Sequence, residues 1–172
     1  MLVQRVLLNY ESLKKEGLQM AIEGVIHRRT KLAHEDDRRF LFSIFNGDLG
    51  DFRAVQLKWF EFKKDSWVGK HYHEFAEVFC IIRGGGVYEL VDVDCPEQRE
   101  IFRMERGDTV MIPKRIAHRA IVNKDSIIIA ANNELYVSPE ENDFPFDFDI
   151  GLSEDEKQRR TYGDYTSDLR DW

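Results

Sequence analysis

At 172 residues, with 42% hydrophobic and 12% aromatic side chains, the chain carries enough bulk to fill one domain core without help from disulfides. A formal net charge of −7 argues against a nucleic-acid partner, and two cysteines, Cys80 and Cys95, are too few for a disulfide framework and lack zinc-knuckle spacing, so a reducing, cytoplasmic setting is expected. The opening MLVQRVLLNYESLKK stays apolar for too short a run to form a signal-peptide core or a membrane helix, and no membrane partner is expected.

Residues 9–22, NYESLKKEGLQMAI, offer Asn9 as an N-cap and apolar residues at Leu13, Leu18 and Ile22. This predicts a short helix interrupted near Gly17, within an N-terminal arm over residues 1–23. Between residues 24 and 138 the pattern changes to short apolar or alternating runs: GVIHRR, RFLFSIF, FRAVQLKWFEF, EVFCIIR, GVYELVDV, REIFRME, DTVMIP, HRAIVN and SIIIAAN. Turn segments NGDLGD (46–51), RGGG (83–86), DCPEQ (94–98) and RGD (106–108) stand where hairpins should reverse, so the body is all-β, a sandwich or barrel. No fixed-period repeat or low-complexity tract interrupts it. Residues 139–172 form a tail with 11 Asp and Glu against 4 Lys and Arg, which leaves the preceding 138 residues neutral at 21 of each. Such a tail would ordinarily lack structure, but Phe144, Phe146, Phe148, Tyr162, Tyr165 and Trp172 could dock it on the barrel or on a neighbouring subunit.

The stretch GKHYHEFAEVFCIIRGGG (69–86) concentrates the polar chemistry. Residues i and i+2 of a strand share a face, so His71 and His73 present two imidazoles together, and a bend after His73 returns the carboxylate of Glu77 from the next strand. Three ligands in one hairpin need a fourth, and His118, in RGDTVMIPKRIAHRAIVN, is the distant histidine in a matching strand context. A set of three imidazoles and one carboxylate suits one divalent transition metal: Zn, Fe, Mn, Ni or Co. His27 and His34 lie outside this pattern and read as structural or solvent-exposed.

These residues carry a family resemblance. The motif H-x-H-x(3)-E-x(6)-G is met by His71, His73, Glu77 and Gly84, and the motif G-x(5)-P-x-G-x(2)-H followed by Asn is met by Gly107, Pro113, His118 and, one place late, Asn123. In both respects the chain resembles the cupins, which implies a double-stranded β-helix, the RmlC-like jelly-roll barrel. Two departures stand out: Asp65 occupies the first motif's opening Gly, with Gly69 offered instead, and Arg115 replaces the second motif's internal Gly. The flanking segments EGVIHRRTKLAHEDDRRFLFSIF and ANNELYVSPEENDFPF are similar to parts of the cupins that modify nucleotide sugars: the dTDP-4-dehydrorhamnose 3,5-epimerase-like proteins, the dTDP-sugar 3,4-ketoisomerases and the cupin domain of capsular-polysaccharide reductase-epimerases. Asp36-Asp37-Arg38 keeps part of an early epimerase motif, with Arg39 in place of its Gly and Ser43 in place of its Glu. Gly69-Lys70-His71-Tyr72-His73 with Glu77, and Asn133-Glu134 through Phe144, resemble the capsular-polysaccharide cupin.

The resemblance implies an enzyme that epimerises or isomerises a keto nucleotide sugar, or a related carbohydrate, by removing and returning a proton beside a ketone. Candidate acids and bases are Tyr72, Tyr88, Glu89 and Lys58, and candidate phosphate-binding cations are Arg38, Lys70, Arg115 and Arg119. The same ligand set also resembles that of the acireductone dioxygenases, whose run before the last ligand is similar to IFRMERGDTVMIPKRIAHR; a non-catalytic barrel that binds a small molecule or carbohydrate is the third reading. A small jelly roll leaves sheet edges and apolar outer faces, from which a homodimer joined through the N-terminal strands is expected.

Overall fold

The structure, a computed structural model, describes residues 22–153. The helix expected over 9–22, apart from Ile22 itself, and Tyr162, Tyr165 and Trp172 of the tail lie outside the described residues.

In chain order the strands are β1 (Ile26–Arg29), β2 (Leu32–Asp36), β3 (Arg39–Phe42), β4 (Gln56–Glu61), β5 (Ser66–Tyr72), β6 (Glu77–Arg83), β7 (Gly85–Asp92), β8 (Arg99–Glu105), β9 (Asp108–Ile112), β10 (Ile116–Val122), β11 (Ile127–Asn132) and β12 (Phe144–Pro145), with one helical turn, α1 (Pro139–Asn142), before the last. They form two five-stranded antiparallel sheets, ordered β1-β9-β6-β11-β4 and β12-β5-β10-β7-β8, and a separate β2-β3 hairpin. The two sheets close over a core that includes Ile81, Leu90, Phe102, Met104, Val110, Ile112, Val122 and Ile128. Ile22 is buried in the same core and its amide donates to Glu100 Oε1 at 2.8 Å, which ties the start of the described chain to β8. No helix among the described residues is long and apolar enough to cross a membrane, and Cys80 and Cys95 are both free thiols.

The expected all-β architecture stands, and the connections differ from the expected hairpins. Of the four turn segments, DCPEQ joins two paired strands, β7 and β8. RGGG joins β6 to β7 and RGD joins β8 to β9, each linking strands of opposite sheets, and NGDLGD lies in the loop that leads from β3 to β4. Successive strands that alternate between sheets wind the chain as a double-stranded β-helix, so a Gly-rich turn marks a crossing of the core more often than a return along the same sheet. Tight approach sets the glycines here. A Cβ at Gly86 would overlap the Ile121 carbonyl oxygen on the neighbouring β10.

The acidic tail docks in part. From α1 the chain adds β12 to the free edge of β5 and then crosses the outer face of the second sheet, where Phe148 is 3% exposed against Val91 and Ala117. Burying such a ring contributes roughly 2 kcal/mol, and it explains why β7 and β10 are buried on both faces and read as near-continuous apolar runs.

Candidate functional site

β5 and β10 pair antiparallel with His71 opposite His118, the pairing that brings the distant histidine alongside the first two. The ladder is irregular at that point: Arg119 pairs with Gly69 and His118 with His71, so Lys70 is an extra residue, a β-bulge. Gly69 and Lys70 both adopt left-handed backbone, with φ of 80° and 72°, and a Cβ at Gly69 would overlap the His118 carbonyl oxygen. The bulge resets strand parity. Val68 and His71, three residues apart, both line the cavity between the sheets, whereas strict alternation would have turned Lys70 and Tyr72 inward.

His73 follows β5, and Glu77 opens β6 in the opposite sheet. The two histidines and the glutamate therefore come from a crossing between sheets; the single hairpin expected from the sequence is not formed. The crossing is fixed at both ends: the Ala76 amide donates to Asn133 Oδ1 at 2.8 Å, and the Arg115 amide donates to the His73 carbonyl at 2.8 Å. Arg115 replaces a turn glycine by itself adopting φ 62°, the conformation a glycine would supply.

The result is a compact cluster. Ligand nitrogens of His71, His73 and His118 lie within 4.8 Å of one another, and His73 and His118 are buried. Glu77 is wedged between rings, with Oε1 3.1 Å from His73 Nε2 and Oε2 3.6 Å from His118 Nε2. Asp143, which sequence reasoning did not single out, arrives just after α1, its carboxylate 3.4 Å from His71 Nδ1 and 3.5 Å from His73 Nδ1. His73 Nδ1 is 2.7 Å from the Asn142 carbonyl oxygen; since a carbonyl can only accept, Nδ1 carries the proton and Nε2 is left toward Glu77. Burial drives the His118 imidazole down to about 4 and, with the neighbouring His73, lowers that of His71. Burial would lower His73 as well, but the contact with Glu77 outweighs it and raises the ring; the same contact lowers Glu77 although burial pushes the carboxyl up.

A cavity of about 290 Å³ opens over the cluster. Its walls are largely apolar, with Phe60, Phe62, Val68, Phe79 and Ile128, and its remaining polar residues are Lys58, Tyr88, Arg119, Tyr136 and Asp143. Lys58 Nζ sits 4.4 Å from the centre of the Tyr136 ring, and burial lowers the amine against the pull of Glu77 and Asp143. Tyr136 donates to Asp143 Oδ2 at 3.2 Å and its phenol is pushed up to about 12, by burial first and then by Asp143. Tyr88 is 4% exposed and burial pushes its phenol up strongly.

Of the residues singled out from sequence, His71, His73, Glu77, His118, Lys58 and Tyr88 come together around this cavity. Arg119 borders it, but its guanidinium is turned to Glu89 Oε2 at 2.7 Å. Glu89 lies outside, ion-paired to Arg99 and Arg119. Tyr72 also faces out, stacked on Phe144 with Arg115 over its ring. Lys70 rides the bulge beside Trp67, Arg115 pairs with Asp94 and Glu74 on the surface, and Arg38 sits at the exposed β2-β3 turn, where Asp36 accepts from the Arg38 and Arg39 amides. The Asp-x-Arg sequence is thus a turn staple in this chain. The signal for Asp143 was the acidic-aromatic run after Asn133 and Glu134, and for Tyr136 its place inside the same run.

Two facing antiparallel sheets wound as a double-stranded β-helix, with a histidine-rich cluster at one end, define the jelly-roll cupin fold. No family model matches the chain. It is 33% identical over 69 residues to an acireductone dioxygenase of Puccinia graminis f. sp. tritici, a match over 40% of this chain that spans only 37% of that protein. Among solved structures it is similar to ChmJ, a 3'-monoepimerase from Streptomyces bikiniensis solved with dTDP-quinovose (TM-score 0.65, 22% identity, 89% of this chain and 97% of that one). It is also similar to a dTDP-6-deoxy-D-glucose-3,5-epimerase, RmlC, from Legionella pneumophila (TM-score 0.64, 19% identity, 80% and 84%) and to the QdtA 3,4-ketoisomerase from Thermoanaerobacterium thermosaccharolyticum (TM-score 0.61, 19% identity, 82% and 99%). The fold is that of the RmlC-like cupins.

Proposed function

We propose that this chain is a metal-dependent isomerase or epimerase that moves a proton beside the ketone of a keto sugar, with a nucleotide sugar as the substrate class. The carrying observation is the Glu77 carboxylate held among three imidazoles at one end of an apolar cavity, with Oε2 buried and without a hydrogen-bond partner among the described residues. An orphaned buried acceptor beside imidazoles, with His73 Nε2 left toward it and the His118 ring held neutral, is a donor set that fits a divalent transition ion. Held by His71, His73, Glu77 and His118, a Zn, Fe, Mn, Ni or Co ion would supply Lewis acidity at a carbonyl oxygen.

The chain's own residues supply the rest. Lys58, lowered by burial, is the group nearest in chemistry to the task once its amine is neutral, with Tyr136 packed against its Nζ. Tyr88, whose phenol burial keeps protonated, donates a hydrogen bond to substrate inside the cavity. Phe60, Phe62 and Val68 exclude water from the reacting carbons. The fold shared with three nucleotide-sugar epimerases and isomerases supports the substrate class. Solvent deuterium entering a 4-keto nucleotide sugar is the expected result, and Lys58→Met abolishes it; elemental analysis of untagged protein shows the metal, and His71→Ala loses it.

One observation favours an oxygen-using cupin as the second reading: the partial match to an acireductone dioxygenase. Oxygen consumption by the iron-loaded protein, without deuterium exchange, would replace the first reading with that one. For assembly we propose a homodimer, supported by β4, an edge strand among the described residues, where Leu57 and Trp59 are 66% and 72% exposed, and by the apolar β2-β3 hairpin. Sedimentation showing monomer at micromolar concentration would refute it.

A further inference from the structure

The site is closed on one side by the docked segment that follows α1. At its near end this segment touches two of the imidazoles: the Asn142 carbonyl accepts from His73 Nδ1 at 2.7 Å, and the Asp143 carboxylate stands 3.4 Å from His71 Nδ1. Asp143 Oδ1 is buried and has no hydrogen-bond partner among the described residues. At its far end, on the opposite face of the same sheet, the segment is fastened by Arg99. Arg99 Nη1 donates to the Phe148 carbonyl at 2.9 Å and Nη2 to the Ile150 carbonyl at 3.1 Å, while Glu89 holds the same guanidinium in place. Between the two ends, the Phe146 amide donates to the Lys70 carbonyl at 3.1 Å, on the bulge that turns His71 inward.

We propose that Arg99 is a positioning residue for the metal centre: by clamping Phe148 and Ile150 on the outer face, it keeps Asn142 and Asp143 against the ring nitrogens of His73 and His71, and so sets metal affinity from across the sheet. This rests on the metal reading given above. The physical reason is that a carbonyl or carboxylate on the remote nitrogen of a ligating imidazole fixes its tautomer and orientation and raises its basicity. Two short segments, 143–145 and 146–150, transmit the clamp through β12 and the Lys70 carbonyl, so the path is continuous. Linkage makes the effect reciprocal: an ion at the imidazoles also tightens the segment.

The test uses the full chain and Co(II) alone. Affinity is measured by competition with a chelator and by the visible absorption of the bound ion; exchange of the Phe146 amide is followed with and without Co(II). Wild type binds, and binding slows Phe146 exchange. Arg99→Met and Phe148→Ala each speed that exchange and weaken Co(II) by about 10- to 100-fold, the range for losing an outer-shell partner. Asp143→Ala weakens binding similarly, and adding Arg99→Met to it costs less than the sum of the two single effects, because both act in part through the Asp143–His71 contact. Wild-type affinity in variants whose Phe146 amide exchanges fast overturns the proposal, as does weakened affinity with Phe146 still protected, or full additivity in the double variant. Should Arg99→Met fail to fold, Phe148→Ala, which leaves the Glu89 pair intact, decides. Absence of binding to wild type by Co(II), Zn(II), Mn(II), Ni(II) and Fe(II) overturns the metal reading itself, whereas binding that ignores the clamp overturns this inference alone.

Discussion

The two faces of the second sheet are built from alternate residues of the same strands and handle polar groups in opposite ways. On the outer face Glu89, Arg99, Arg119 and the carbonyls of Phe148 and Ile150 satisfy one another, and Arg119 stacks 4.6 Å from the Phe148 ring centre. On the inner face, one residue away along each strand, His118 and Tyr88 line a cavity in which Glu77 Oε2 and Asp143 Oδ1 have no hydrogen-bond partner among the described residues. Buried polar groups that the chain satisfies internally mark structure; the buried acceptors left open beside imidazoles are what the proposed metal reading rests on.

The contrast can be broken most severely at the open acceptor. Glu77→Gln keeps shape and removes the charge, and Co(II) affinity measured against a chelator falls by about 100-fold or more. An effect of comparable size, but on folding itself, is expected on the outer face: Glu89→Ala leaves Arg99 and Arg119 without their shared carboxylate and costs about 3–5 kcal/mol in denaturant unfolding. If Glu89→Ala proved neutral, the outer cluster would not be structural and the contrast would fail. Third comes pH. His118 sits at about 4 in the folded chain against about 6.5 in the unfolded one, so the unfolded state takes up the proton first. The contribution of His118 to the stability of the metal-free protein is full above pH 6.5 and is lost as pH falls toward 4, by on the order of 3 kcal/mol, with His71, lowered by burial and by His73, acting in the same direction. His73, raised above its ordinary value, opposes this: its contribution is present below pH 6.5 and lost above its folded value. Thermal melts across pH 4–7 check the net sign, and His118→Asn flattens the curve. The smallest effect is expected at Arg38→Ala, an exposed turn pair with Asp36: no measurable change in the unfolding midpoint and no effect on Co(II) binding.

Much of the cluster was legible in the sequence because ligand spacing is a local matter. His71 and His73 with Glu77 fall within seven residues, and antiparallel pairing brought His118 opposite His71 as expected. What local reasoning misread was connection, and facing it left open. A turn sequence such as RGGG specifies a reversal and leaves open whether the next strand pairs with the last or crosses the core; here it crosses. Arg115 in place of a motif glycine left its turn open to question, yet a residue able to adopt φ 62° builds the same turn, and its side chain finds Asp94 and Glu74 outside. The partial Asp-x-Arg motif resembled a ligand-binding element and is satisfied within its own hairpin.

The sequence by itself determined an all-β body, four side chains that cluster, His71, His73, Glu77 and His118, and the acidic, aromatic character of the tail, because these follow from periodicity, spacing and composition. Only the tertiary structure decided which neighbours share the cavity. One extra residue, Lys70, reverses the parity of β5, turns Tyr72 out and His71 in, and a distant segment then sets Asp143 beside those rings. Facing depends on a bulge whose energy comes from contacts with β10, and proximity depends on where the tail docks; neither is a property of a local stretch of chain.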